Sequence, residues 1–183
     1  MKKARYIFLI LLTVFLSCKK QNPTGKVVLQ HNREVEAEKE AFLSGSKKIL
    51  QLEKDEIELF VQRYDWDMKM SSTGLWYQIL DKGEGKEPQE GDKVELQYEM
   101  MLLTGEKIYD SEEKGTLCFV VEKSGDLIGL HEAVKMLKEK GKARFILPSY
   151  LGYGTVGDGE KIEGNTPFVV IVKSLKIISN KKI

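Results

Sequence analysis

Residues that commonly carry chemistry are scarce in this chain. Two cysteines and two histidines among 183 residues are too few for a disulfide framework. No Cys/His/Asp spacing has the form of a metal site. His31 and His131 stand alone, and His131 reads as a solvent-exposed helix residue. An excess of one charge is missing as well. The 29 basic and 28 acidic residues leave a formal +1, so composition makes no electrostatic case for nucleic acid. Glycines gather at Gly152, Gly154, Gly157 and Gly159, but without the lysine–serine/threonine pair of a phosphate-binding loop. There are no repeats or low-complexity tracts, and no cofactor is expected.

What is present suits one domain of ordinary size with extensions: 42% hydrophobic and 31% charged residues. Residues 1–17 stand apart. Lys2, Lys3 and Arg5 form a basic head, and Tyr6 to Leu16 is apolar except for Thr13. This is the pattern of a secretory signal, too short for a comfortable membrane span. Ser17 immediately before Cys18 resembles the bacterial lipoprotein signal, although Phe15 departs from the usual aliphatic residue. That resemblance implies lipidation of Cys18 on its sulfur and its exposure as a new N-terminus. An uncleaved anchor and a plain signal peptide are the alternatives. Cys118 would then have no partner, and in the run Leu117–Val121 it reads as a small strand residue. Loss of residues 1–17 removes three basic residues and no acidic one, leaving the remainder slightly acidic. Lys19 and Lys20 carry no acidic export signal, which favours a lipid-anchored, periplasm-facing location in the cell envelope, at either membrane.

Residues 18–30, with Pro23 and Gly25, read as a tether. Residues 31–70 form a helical extension whose stripe is Ile49, Leu52, Ile57, Phe60 and Val61. Gly45, between Ser44 and Ser46, is the expected break in it. The stripe would pack on its own domain or on a sister chain, the second option being a homodimer through residues 31–70. From residue 71 to 183 the period changes. Val94, Leu96, Tyr98 and Met100 alternate with Glu95, Gln97 and Glu99, Thr104-Gly105-Glu106 makes a hairpin, and Lys142–Leu147 and Phe168–Ile177 are further strands. Leu130, Ala133, Val134 and Leu137 make one short helix. The expected fold class is α+β, a curved antiparallel sheet wrapped around one short helix and preceded by a helical extension.

The stretch Gly129-Leu130-His131-Glu132-Ala133, then Lys142 to Ser149, then Tyr153-Gly154, resembles the C-terminal half of FK506-binding-protein-type prolyl isomerases. The resemblance covers roughly residues 74–178. It places Tyr98, Tyr109, Asp110 and Tyr153 at the catalytic pocket. Leu127, by its backbone N–H, its neighbour Ile128 and Ile162 become substrate-binding positions, and Phe119 lies beside the pocket. The glycine-rich run becomes a mobile loop over the pocket mouth. Three positions depart from the family: Leu130 replaces the floor tryptophan, and Leu117 and Val170 replace aromatic walls. A wider, less aromatic pocket follows. With its signal and helical extension, the chain is also similar to lipid-anchored isomerases of Bacteroidetes-type bacteria, among them the gliding-motility-associated lipoproteins.

The resemblance implies a peptidyl-prolyl cis-trans isomerase assisting exported, proline-containing polypeptide clients, with a membrane contact through its lipid anchor, no metal and no nucleic acid. Residue by residue the alternatives stay open. A tyrosine on an alternating strand is commonly core, and Asp110 could cap a turn as readily as orient the Tyr98 hydroxyl. A non-catalytic chaperone or scaffold of the same fold is the rival, and the missing tryptophan favours it.

Overall fold

At residues 145–147 and 168–172 apolar residues occupy both faces of the strands, and this sets the architecture. The computed structural model describes residues 23–178 except Ser124 and Asp126, with side chains from Val35 onward. Residues 1–17 and Cys18 therefore lie outside the described residues. Two compact units are present, Met1–Ser46 and Lys47–Ile183.

The first unit is helical in its described part, where α1 (Pro23–Tyr64) begins. The expected tether at 18–30 is thus helix from Pro23 on. A proline in the first turn gives up no helical hydrogen bond, and its fixed φ suits that position. Gly45 is not a break. The Ser44 and Ser46 hydroxyls donate to the Ala41 and Phe42 carbonyls at 2.8 and 3.0 Å, so both serines turn back on the helix. An interior glycine alone costs about 1 kcal/mol.

The second unit continues with β1 (Lys69–Met70), β2 (Trp76–Asp81), β3 (Lys93–Leu102), β4 (Lys107–Asp110) and β5 (Leu117–Val120). It is completed by α2 (Ile128–Lys135), β6 (Lys142–Leu147), a 3-10 turn (Ser149–Leu151) and β7 (Phe168–Ile178). The strands form one antiparallel sheet in the order β1-β2-β6-β7-β3-β4, with β5 also on β3. The last two share one edge of β3: β4 pairs at Glu99–Met101 and β5 at Lys93–Leu96. This is the expected α+β arrangement.

Side chains alternate across a strand, so a sheet covered on both faces needs apolar residues at every position. Residues 145–147 of β6 and 168–172 of β7 meet that demand. Phe145, Leu147, Val170 and Val172 point to the face covered by Leu130, Ala133, Val134 and Leu137. Ile146 and Val169 point the other way and meet Ile57 and Phe60 of α1, with Met101 and Leu103. Of the helical stripe, Ile57 and Phe60 are buried, while Ile49 and Leu52 stay exposed. Trp66, just beyond α1, stacks edge-on against Phe60 at 5.3 Å, with the Arg144 guanidinium 4.4 Å from its ring.

Because Ile57 is 1% exposed, Ile57→Ala is expected to lower unfolding free energy by about 2–5 kcal/mol. Urea denaturation measures it. A loss below about 1 kcal/mol would show that the α1–sheet layer is not part of the cooperative core.

Candidate functional site

Strand alternation puts Tyr98 of β3 and Tyr109 of β4 on the α2 side of the sheet. Between them and α2 lies a cavity of about 620 Å³. Leu130, fully buried, contributes to its lining, as do Leu117, Leu127, Ile128 and Tyr153. The Tyr153 ring lies 5.5 Å from Phe168. Gly152 makes that approach possible, since a Cβ there would meet Phe168 at 2.5 Å. Leu127 is the N-cap of α2, and its carbonyl accepts the Leu130 N–H at 2.9 Å.

The phenols are held protonated. Burial, followed by the charge of Asp110, raises Tyr98 above its ordinary value. Tyr109 is raised further, by burial first and then by its hydrogen bond to Asp158, to which its hydroxyl donates at 2.6 Å. The ammonium groups of Lys114 and Lys161 sit 5.4 and 5.5 Å from the Tyr109 ring centre. Lys161 also donates to the Ile108 carbonyl at 2.9 Å.

Asp158 organises the loop after Tyr153. Its Oδ1 accepts from the N–H groups of Glu160, Lys161 and Ile162 at 2.9, 3.0 and 2.8 Å. Burial pushes its carboxyl upward, yet the Tyr109 hydroxyl and these N–H groups outweigh that and leave it lowered. Gly157 has φ +81°, and a Cβ there would meet the Ile162 carbonyl at 2.2 Å. The glycine-rich loop is braced by bonds from Asp158 N–H to the Ile162 carbonyl and from Asn165 N–H to the Gly154 carbonyl, at 3.0 and 2.8 Å.

Of the residues singled out from sequence, Tyr98, Tyr109, Tyr153, Leu117, Leu127, Ile128 and Leu130 line the cavity together. Four do not. Phe119, Ile162 and Val170 are buried in the core behind it, and Phe119 meets His131 edge-on at 5.0 Å. Asp110 is 2% exposed and serves its own turn: Oδ1 accepts from the Glu112 and Glu113 N–H groups, both at 2.9 Å, and Oδ2 pairs with Lys107. The turn cap, not an orienting bond to Tyr98, is what its oxygens make.

His131 also differs from expectation. It is buried, and its Nδ1 accepts the Glu122 N–H at 3.0 Å. The reason is that α2 is covered on a second flank by β5 and the turn after it. Cys118 lies on β5 with its side chain exposed. Met100, Lys114, Asp158 and Glu160 line the cavity without having been foreseen. For Asp158 the sequence offered one sign, an aspartate between two glycines where an Asx turn can form.

Residues 84–175 match the family described as FKBP-type peptidyl-prolyl cis-trans isomerase. A probable FKBP-type isomerase FkpA of Neisseria meningitidis is 38% identical over 110 residues, 60% of this chain and 40% of that protein. FkpA of Escherichia coli K12 is 31% identical over 115 residues, 62% of this chain and 40% of that protein. The chain thus aligns with well under half the length of these relatives. The crystal structure of FkpA from Escherichia coli superposes with a TM-score of 0.61 at 26% identity, covering 97% of this chain and 82% of that one.

The Asp110 carboxyl is held at about 2, against an ordinary 3.8, chiefly by Lys107 and then by the Glu113 N–H, with burial opposing. A depressed folded-state value stabilises fully above the unfolded value, and that contribution is lost as pH falls from about 4 to about 2. Asp110→Asn should therefore be less stable than wild type at neutral pH, with the gap closing over that window. Urea melts at pH 7, 4 and 2.5 test this; a gap independent of pH would refute it.

Proposed function

The chain belongs to the FKBP-type peptidyl-prolyl cis-trans isomerase family, and from that membership we propose that it catalyses X-Pro isomerisation in exported polypeptides at the cell envelope. The observation that carries this reading is the cavity itself, lined by three tyrosines together with Leu117, Leu127 and Leu130. Uncatalysed X-Pro isomerisation takes tens to hundreds of seconds, because the planar amide must lose its resonance. Rotation about that bond breaks no covalent bond and moves no proton, so walls and hydrogen-bond donors are what catalysis needs. Water solvates the polar planar amide better than the twisted one, and an apolar enclosure removes that advantage. Tyr98, Tyr109 and Tyr153 supply the walls, and Leu130 and Leu117 the apolar lining. The Leu127 backbone N–H and the Tyr153 hydroxyl are the donors suited to a substrate carbonyl.

A second reading, a non-catalytic chaperone or scaffold, is favoured by Leu130 at the family's tryptophan position. The full chain decides between them in a peptide assay and in refolding of a proline-limited protein. Acceleration of both is expected. Holdase activity without acceleration would support the rival. Tyr153→Ala should lower kcat/KM about tenfold, equivalent to about 1.4 kcal/mol of transition-state binding. An unchanged value would remove Tyr153 from the site.

We also propose that Cys18 is lipidated and that the chain faces the periplasm. The basic head, the apolar run and Ser17-Cys18 support this. Among the described residues no helix is long and apolar enough to cross a membrane. Exposed Phe42, Leu43 and Leu52 on α1 support a homodimer through residues 31–70. Cys18→Ser should move the chain from the membrane to the soluble fraction, where it should sediment as a dimer. Retention in the membrane would overturn the anchor, and a monomer the dimer.

A further inference from the structure

The 3-10 turn that leads into Tyr153 is gripped from behind by α1. Glu53 of that helix is 5% exposed. Its Oε2 accepts the Ser149 N–H at 2.9 Å, and its Oε1 accepts the Ser149 hydroxyl at 2.6 Å. Ser149 is itself buried. A carboxylate is costly to bury unless its oxygens are hydrogen-bonded, and here both are. Position 53 continues the apolar spacing of Ile57 and Phe60, so a leucine there would extend the stripe. Instead a carboxylate is buried at the point where the turn presents two donors.

From Ser149 the connection runs on through the backbone. The Ser149 carbonyl accepts the N–H of Gly152 at 3.0 Å and of Gly154 at 2.8 Å. These two residues flank Tyr153, whose ring lines the cavity. One side chain of the helix is therefore linked by successive hydrogen bonds to both neighbours of a pocket tyrosine.

We propose that Glu53 is a positioning residue for the isomerase pocket. Through Ser149 it fixes the turn that sets Tyr153, which ties this one side chain of α1 to the pocket. The proposal rests on the isomerase reading above, and its test separates the two. Glu53→Ala, Glu53→Gln and the packing control Ile57→Ala are compared in the full chain at a temperature where all are folded. The readouts are kcat/KM, the amide resonances of Gly152 and Gly154, and the ring resonances of Tyr153.

Glu53→Ala is expected to lower kcat/KM about tenfold and to shift those resonances. Glu53→Gln, which keeps one acceptor for the hydroxyl, should recover part of both. Ile57→Ala should lower the melting temperature while leaving kcat/KM within about twofold and the resonances in place. The proposal fails if Glu53→Ala moves neither readout, or if Ile57→Ala moves both as far. Should Glu53→Ala not fold, Ser149→Ala takes its place in the same comparison. If the wild-type chain accelerates nothing, the isomerase reading falls, and the resonances still decide whether Glu53 holds the turn.

Discussion

Everything in the Lys47–Ile183 unit depends on the central strands β6 and β7 being covered on both faces. The layer facing α2 holds Phe145, Leu147, Val170 and Val172, and the opposite layer holds Ile146 and Val169. The two layers share one backbone, because consecutive residues of one strand serve them in turn. This constraint gives α1 its place, since Ile57 and Phe60 close the second layer. It also anchors the cavity, whose Tyr98 stands on the strand hydrogen-bonded to β7.

Around the cavity, acidic groups are numerous but committed. Asp110 holds its own turn and Lys107, and Asp158 holds three backbone N–H groups and the Tyr109 hydroxyl. Glu160 lies 3.4 Å from the Lys114 ammonium. Charges satisfied in this way leave the apolar lining to set the medium that a bound amide would meet. Burial first, and then the neighbouring carboxylates, keep Tyr98 and Tyr109 protonated, the Tyr109 hydroxyl being committed to Asp158. The site is defined by its tyrosine and leucine walls more than by any reactive group.

Much of the fold was legible because it follows from periodicity. The alternation of Val94, Leu96, Tyr98 and Met100 and the spacing of Leu130, Ala133, Val134 and Leu137 each reported one buried face. The apolar run at 168–172 was legible as a strand, but its two-sided burial was not, because a continuous run does not say what covers it. Tyr98, Tyr109 and Tyr153 were found through family pattern and do share one cavity. Asp158 was missed since its partner Tyr109 lies 49 residues away. His131 was misjudged because a short helix can be covered on two flanks. Glu53 drew no notice, as buried glutamates are rare and nothing local marks one. Phe119, Ile162 and Val170, placed by the same pattern, are buried in the core that adjoins the cavity.

The completion of both apolar layers by β7 has a kinetic side. That strand is the last element among the described residues, yet it supplies Phe168, Val170 and Val172 to one layer and Val169 to the other. α1, at the opposite end of the unit, lacks part of its seat until that strand arrives, since Val169 packs with Ile57 and Phe60. A chain emerging N-terminus first would hold Ile57, Phe60 and Ile146 without Val169 until β7 had emerged. Contacts of such long sequence separation form slowly. Closure of the second layer therefore waits on a contact between segments far apart in sequence, which makes the seating of α1 a late event in the folding of this unit.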